Sequence, residues 1–224
     1  MYLSRVALDG TKRATMLALQ NPAMFHGAVE RSFEPRTARS LWRIDELGGR
    51  RYLLLLSREK PELSGLAAQF GTQDAPETRD YDVLLARITP ESRWQFRLHA
   101  NPTYSSGGDG KRGKVHACTL VSSPASLKAG AQEPKTQVGC LMHQAQTHGF
   151  TVQADELSVQ KMQWYSFGKE HGEQVKLLGV TYEGLLTVTD ADKFRQALTE
   201  GIGRGKAYGM GLLTVVRPSG ARHG

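Results

Sequence analysis

The spacing of apolar positions divides residues 1–90 into strand, helix, strand, strand, helix and strand. Two β-rich runs flank Gly48-Gly49, and a pair of glycines between such runs predicts a hairpin. Asn21-Pro22 ends the first helical pattern, because proline cannot continue a helix. The predicted elements are strand 2–8, helix 11–19, a second helical piece at 26–33, strands 40–47 and 51–57, helix 61–70 and strand 81–88.

The second half repeats this order, with a longer interval between its first strand and its first helix. Glycine, serine and basic residues fill that interval, and Asp190 is the predicted N-cap of the last helix. The predicted elements are strand 93–100, a loop at 102–114 with an extended run to Leu120, a connection at 122–135, helix 136–148, strands 159–167 and 174–188 around a turn at 168–172, helix 190–200 and strand 212–216. We therefore predict an α+β protein of tandem ferredoxin-like (RRM-like) βαββαβ domains, residues 1–90 and 91–224.

The net charge and the length of the apolar runs limit the kinds of partner that the protein can have. The 224 residues carry 29 Lys and Arg against 22 Asp and Glu, and the formal net charge of +7 favours nucleic acid or an anionic membrane surface as partner. The leucine run at 53–56 is far shorter than the ~20 residues of a membrane span, and the first residues lack a signal-peptide pattern. We expect a cytoplasmic protein without a membrane partner, in which Cys118 and Cys140 are reduced thiols.

Residues 201–211, called here the glycine segment, read Gly-Ile-Gly-Arg-Gly-Lys-Ala-Tyr-Gly-Met-Gly. Five glycines in eleven residues favour a backbone that turns through positive φ and lets another group approach closely. Successive N–H groups in such a turn bind anions, and no Asp or Glu follows Glu200. We predict that Gly203, Arg204, Gly205 and Lys206 contact RNA; the alternative is a plain flexible turn.

Two nucleotide-binding motifs are excluded at the glycine segment. A Walker loop needs glycine at the position of Glu200 and Ser or Thr at the position of Ala207. The dinucleotide pattern fails because its last glycine falls on Lys206 or on Tyr208. A phosphate-binding metabolic enzyme is therefore disfavoured, and a polynucleotide backbone is the better ligand.

His26 lies just after the predicted break at Asn21-Pro22, where a side chain can be exposed and still be held in place. Histidine titrates near neutral pH, and the nearby cations Arg31, Arg36 and Arg39 can offset negative charge on a phosphorus centre. This combination is one way to cut RNA without a metal. The alternative is an ordinary surface or capping histidine.

The other candidate chemistry is a second basic patch at Lys111 and Arg112. In a Gly-rich hairpin these side chains can follow an RNA backbone or enter a groove; the alternative is a solvated loop. The remaining histidines and the two cysteines have no metal-binding spacing, so we predict no metal and no cofactor.

The motifs, taken in order, resemble the CasE family, the repeat-cutting endoribonucleases of type I-E CRISPR systems. The resemblance covers nearly the whole chain. Its motifs are Met1-Tyr-Leu-Ser-Arg-Val6, Asn21-Pro-Ala-Met-Phe-His26, Leu41-Trp-Arg43, Phe96-Arg-Leu-His-Ala-Asn-Pro102, Gly110-Lys-Arg112, Tyr182-Glu-Gly-Leu-Leu-Thr-Val188 and Gly201-Ile-Gly-Arg-Gly-Lys-Ala-Tyr-Gly-Met-Gly-Leu-Leu213.

The resemblance implies an enzyme that cleaves precursor CRISPR RNA at the 3′ base of the repeat hairpin without a metal. The 2′-hydroxyl attacks, a 2′,3′-cyclic phosphate or 3′-phosphate results, and the protein stays on the hairpin as a subunit of the Cascade complex. His26 matches the catalytic histidine. Arg31 stands where the family has lysine, and Ala23 stands where some members have tyrosine.

Two alternatives stay open within this resemblance. Because Ala23 offers no hydroxyl, the chain could be a non-catalytic RNA-hairpin-binding subunit of the same kind of complex. The strand pair that enters the RNA groove is either the segment with Lys111 and Arg112 or the predicted hairpin at 164–175.

Overall fold

The computed structural model describes residues 1–34, 38–106, 113–120, 136–168 and 172–218. Arg36, Lys111 and Arg112 lie outside these residues, so the predictions made for them stay predictions. The described chain forms two compact units. The first contains residues 1–87, 165–176 and 205–212, and the second contains residues 88–164, 177–204 and those from 213 onward.

The first unit is built mainly from the N-terminal elements. They are β1 (Tyr2–Ala7), α1 (Arg13–Gln20), α2 (Ala23–Glu30), β2 (Leu41–Leu47), β3 (Arg50–Ser57), α3 (Ser64–Phe70), β4 (Glu77–Asp80) and α4 (Asp82–Leu85). Their sheet has the order β2-β3-β1-β4, and β1 pairs antiparallel with both β3 and β4. The predicted Gly48-Gly49 hairpin joins β2 to β3, and both glycines have positive φ. This strand order is that of a ferredoxin-like βαββαβ unit.

The core of the first unit lies between this sheet and its helices. Phe25 of α2, Trp42 of β2 and Phe70 of α3 are each at most 2% exposed. The Phe25 ring lies 5.8 Å from the Trp42 ring and 4.9 Å from the Phe70 ring, measured between centroids. Rings that large dominate the apolar area removed from water, so α2 is fixed to the sheet mainly through Phe25.

The second unit repeats the same plan with an insertion. Its elements are β5 (Arg93–Ala100), β6 (Thr103–Ser105), β7 (Val115–Ala117), α5 (Gln137–Thr147), β8 (Phe150–Gly168), β9 (Gln174–Val188), α6 (Ala191–Glu200) and β10 (Leu213–Val216), of which the distal ends of β8 and β9 belong to the first unit. The sheet order is β10-β5-β9-β8, while β6 and β7 form a separate antiparallel ribbon. Phe150 and Phe194 are both fully buried, with ring centroids 5.4 Å apart. The predicted α+β fold of tandem ferredoxin-like domains is therefore confirmed.

The predicted N-cap at Asp190 is also confirmed. Its carboxylate accepts the backbone N–H groups of Asp192 and Lys193 at 3.2 and 3.1 Å. The hydrogen bond from Lys193 is the main reason why the pKa of Asp190 lies below its usual value. The carboxylate thus satisfies two backbone donors that have no partner inside the helix.

The predicted strand at 81–88 is wrong. The edge strand is β4, which is polar and lacks the apolar alternation that would have marked it, and a short helix follows at Asp82–Leu85. Tyr81, Leu84, Leu85 and Ile88 have the spacing of one helix face, and Tyr81 and Ile88 are buried while Val83 is exposed. These residues have the composition of a strand, but their spacing is that of a helix.

The expected pair of reduced thiols is wrong as well. Cys118 and Cys140 are 22 positions apart in the sequence and form a disulfide. The backbone N–H of Gln137 donates to the carbonyl of Leu120 at 2.9 Å, which brings the start of α5 against the residues after β7. Spacing along the chain did not reveal this proximity, because it depends on a contact made only in the fold.

A test of the second sheet uses Gly184, where β9 comes close to β8. A Cβ placed there would lie 2.1 Å from the backbone oxygen of Glu156. Gly184→Ala should therefore force the strands apart and lower the free energy of unfolding by about 1–3 kcal/mol or more, measured by urea denaturation. The matched control is Gly168→Ala in the same hairpin, whose Cβ would meet, among the described residues, the end of Gln174 at 3.9 Å. Equal losses in the two variants would contradict this strand packing.

Candidate functional site

His26 lies on the solvent side of α2. Phe25, Ala28 and Val29 bury the other face of this helix, and the Asn21 side chain accepts the N–H of Ala23 at 3.2 Å near its start. The His26 side chain consequently stays 34% exposed on a helix that the core holds in place. The sequence predicted that His26 follows a chain break directly; the structure places it partly exposed within α2. Its catalytic role stays a prediction.

Glu30 is a site residue that the sequence reasoning missed. Its Oε1 lies 3.5 Å from Nδ1 of His26, in an i,i+4 pair on the same helix face, and it is 24% exposed. A carboxylate beside one ring nitrogen can fix the orientation of the imidazole. The four-residue spacing was the signal that could have identified it, since residues so spaced share a helix face.

Arg31 is the C-cap of α2 and lies outside the His26–Glu30 pair. Its Nη2 donates to Oε1 of Gln69 at 3.3 Å, and its Nη1 lies 3.4 Å from where a Cβ on Gly27 would be. The guanidinium is thus directed toward α3. Arg39 is exposed shortly before β2 begins.

All five glycines of the glycine segment have positive φ, from 75° to 89°. Glycine is the residue that adopts this conformation without a steric penalty, so the backbone of this segment requires glycine at these positions. Gly203 and Arg204 are exposed in the second unit, where Arg204 forms a backbone bridge to Asn101. Gly205 and Lys206 are half-buried and belong to the first unit.

The part of the glycine segment in the first unit lies beside the helix of His26. Lys206–Tyr208 forms a short 3-10 helix that contacts both α2 and β2. The Tyr208 ring meets the edge of the Phe167 ring at 5.0 Å between centroids. Of the predicted site residues, Lys206 and His26 therefore lie on neighbouring elements of one unit.

A buried arginine attaches the end of the glycine segment to β2. Nε and Nη2 of Arg43 donate to the two carboxylate oxygens of Asp45 at 2.8 and 2.6 Å, and Nη1 donates to the backbone carbonyl of Leu212 at 2.7 Å. Arg43 is 1% exposed and Asp45 is 7% exposed. The guanidinium is thus paired with a carboxylate, and its Nη1 also binds the backbone directly after the glycine segment.

Neither metal ligation nor membrane spanning is indicated in the described part of the chain. No three His, Cys, Asp or Glu side chains among the described residues are grouped so that they could hold a metal ion. None of the helices described is both long enough and apolar enough to cross a membrane.

A sequence model of CRISPR-associated proteins matches residues 1–217. The chain belongs to this family. One relative, the CRISPR-associated endoribonuclease Cse3 of Thermus thermophilus, is 28% identical over 221 residues, which are 96% of this chain and 99% of the relative. The resemblance to the CasE family inferred from the ordered motifs is confirmed.

Solved structures share the fold of this CRISPR-associated protein. A Cse3 endoribonuclease bound to a 19-nucleotide RNA has a TM-score of 0.74 at 24% identity, with 96% of this chain and 100% of that chain covered. A chain of a CRISPR RNA-guided surveillance complex has a TM-score of 0.61 at 22% identity, with 97% and 100% covered. Both likenesses extend over the tandem ferredoxin-like units.

The buried ion pair can be tested through its acidic partner. Asp45→Ala would leave the Arg43 guanidinium buried without its carboxylate, so the free energy of unfolding should fall by about 3–5 kcal/mol. The matched control is Asp74→Ala, because Asp74 pairs with Arg50 at 3.2 Å but both side chains are more than half exposed. That control should lose less than ~1 kcal/mol in the same denaturation experiment. A loss below ~1 kcal/mol in Asp45→Ala would contradict the buried pair.

Proposed function

We propose that this CRISPR-associated protein is an endoribonuclease that cleaves precursor CRISPR RNA at the 3′ base of the repeat hairpin by metal-independent 2′-hydroxyl attack. It then keeps the hairpin bound as a subunit of a Cascade complex. The relative from Thermus thermophilus is named an endoribonuclease and matches the chain over nearly its full length, which supports the activity. The observation that carries the proposal is the position of His26, which is partly exposed on a helix held by the core and lies 3.5 Å from Glu30.

The reaction requires that one proton be removed from the 2′-hydroxyl and that one be supplied to the 5′ oxygen. The 2′ oxygen loses its proton and attacks the adjacent phosphorus, the bond from phosphorus to the 5′ oxygen breaks, and that oxygen takes up a proton. Neutral His26 can accept the first proton, and protonated His26 can donate the second. In either role, Glu30 beside Nδ1 can hold the orientation of the ring. Ala23 offers no hydroxyl, so His26 has no tyrosine to share this chemistry from that position.

Negative charge accumulates on the phosphorane oxygens, and cations near His26 would stabilise it. Lys206 supports this role, because its 3-10 helix contacts α2. Arg31 was assigned the same role from the sequence and stays a candidate, although its guanidinium is hydrogen-bonded to Gln69. Arginine keeps the charge of the family's lysine but is a poorer proton donor.

The glycine segment is proposed to hold the RNA backbone. Gly203 and Arg204 are exposed, and Gly203 has a positive φ. A Cβ at Gly203 would meet no atom of the described residues within 4 Å. Such open, cationic turns suit phosphate oxygens. Further contacts are proposed for Arg36, Arg39, Lys111 and Arg112, in agreement with the net charge of +7.

The second candidate is a non-catalytic RNA-hairpin-binding subunit, which Ala23 favours because it removes a possible catalytic hydroxyl. Enzyme in excess over its repeat RNA separates the two functions. Absence of cleavage under those conditions, with the RNA bound, would leave only the binding subunit.

His26→Ala tests the catalytic assignment directly. Loss of the proton-transferring group should lower the single-turnover rate constant in EDTA by at least ~100-fold, while the Kd for the repeat RNA stays within about threefold. The measurement is gel-resolved cleavage of labelled repeat RNA beside a filter-binding titration.

The control for that variant is His143→Ala. His143 is an exposed histidine of α5, so its loss removes the same side chain from a helix surface elsewhere. Its rate constant should match that of the unsubstituted protein. Cleavage by His26→Ala at the unsubstituted rate would refute the assignment of His26.

Arg204→Ala and Lys206→Ala test the backbone contacts. Each should weaken RNA binding and reduce the slope of log K against log salt by about one, because each removes a cation that displaces a counterion. Arg79→Ala, which removes a highly exposed arginine from β4, is the charge-matched control. An unchanged salt slope in both glycine-segment variants would exclude them as phosphate contacts.

A further inference from the structure

We propose that Trp42 and Arg43 of β2 are positioning residues for the cleavage reaction, because they dock the glycine segment beside the helix that carries His26. This inference rests on the proposed function. The two side chains belong to the motif Leu41-Trp-Arg43, which the sequence singled out without giving it a role.

Trp42 supports both parts of the site. The ring of Phe25, the residue before His26, lies 5.8 Å from the Trp42 ring. Where a Cβ on Gly209 would stand, the Trp42 atoms Cζ3 and Cη2 lie 2.7 and 2.9 Å away, so the indole packs directly against the Gly209 backbone. One buried indole therefore contacts α2 and the glycine segment alike, and moving either one against the other would disturb it.

Arg43 fixes the end of the same segment. Its Nη1 donates to the carbonyl of Leu212 at 2.7 Å, while Asp45 holds the rest of the guanidinium from both carboxylate oxygens. A charge-assisted bond in a site that is 1% exposed is short and directional, which restricts the backbone it binds. Trp42 and Arg43 are neighbours on β2, so they hold the segment at Gly209 and at Leu212.

The consequence for the reaction is geometric. Lys206 begins the 3-10 helix that contacts α2, and Gly209 ends it. Whatever holds Gly209 and Leu212 therefore sets the place of Lys206, and of a phosphate bound to it, relative to His26. Misplacement of a bound phosphate by about 1 Å can cost on the order of 100-fold in rate without loss of binding.

The test compares Gly209→Ala with Gly49→Ala. Both glycines have the same positive φ, 77° and 74°, so both substitutions carry the same backbone penalty. At Gly209 the new methyl group collides with Trp42, whereas at Gly49, in the β2–β3 turn, no atom of the described residues lies within 4 Å. The difference between the two variants isolates the contact with the indole.

A second variant covers the case in which Gly209→Ala fails to fold. Arg43→Met combined with Asp45→Leu removes both buried charges at once, which proteins tolerate far better than loss of one partner. It leaves the Leu212 carbonyl without its donor. Either variant thus loosens the segment without touching a group that contacts RNA.

Two readouts separate positioning from stability. The concentration of folded enzyme is first counted by stoichiometric titration with repeat RNA, so that unfolded protein does not enter the single-turnover rate constant. Limited trypsin digestion of the native protein then reports how often the chain opens after Arg204 or Lys206.

The expected result is a rate constant at least tenfold lower in Gly209→Ala, with Kd within threefold and trypsin cleavage of the segment at least fivefold faster. Gly49→Ala should keep the unsubstituted rate and digestion pattern. An unchanged rate constant in Gly209→Ala or the double variant, despite faster digestion, would overturn the positioning role. So would a rate lost equally in Gly49→Ala. Absence of cleavage by the unsubstituted protein would instead refute the proposed function itself. The digestion pattern would still show whether Trp42 and Arg43 hold the glycine segment.

Discussion

The packing of the Trp42 indole is the interaction on which the candidate site depends. On one side it meets Phe25, the main anchor of α2, and at its edge it meets the backbone of Gly209. A helix of eight residues has little stability of its own, so α2 owes its position to this buried face. The glycine segment has no regular hydrogen-bonded ladder and depends equally on what it packs against. The Trp42 side chain therefore contacts both α2 and the glycine segment.

The buried and the exposed charged groups have different roles. The buried charge of Arg43 is matched by Asp45 and by a backbone carbonyl, so it serves structure. Of the cations proposed to contact RNA, Arg39 and Arg204 are exposed and Lys206 is half-buried. Cations in such positions can release counterions from a polyanion when it binds. His26 stands between these classes: it is partly exposed, it has a carboxylate neighbour, and it lies on a helix that the core fixes.

The sequence predicted those features that local pattern encodes. Periodicity and turn residues predicted the tandem ferredoxin-like fold, the β2–β3 hairpin and the cap at Asp190, but misplaced the last strand of the first unit. The polar strand β4 was missed because its pairing with β1 comes from backbone hydrogen bonds and not from an apolar face. The Cys118–Cys140 disulfide and the attachment of Leu212 to Arg43 join residues distant in the chain, and no local spacing encodes such contacts. His26 and Lys206 were predicted as site residues, but their position on neighbouring elements needed the fold. The i,i+4 spacing of His26 and Glu30 in the sequence was sufficient to predict their contact.

We propose that RNA is cut by its own 2′-hydroxyl, with His26 moving a proton and no metal taking part. The most direct test is mass analysis of the products formed in EDTA from two repeat RNAs, one all-ribose and one with a single 2′-deoxy nucleotide 5′ of the scissile phosphate. The account predicts a 2′,3′-cyclic phosphate or 3′-phosphate from the first RNA. From the second it predicts undiminished binding and no cleavage at that position. Cleavage of the deoxy RNA, or products that carry a 5′-phosphate, would contradict it.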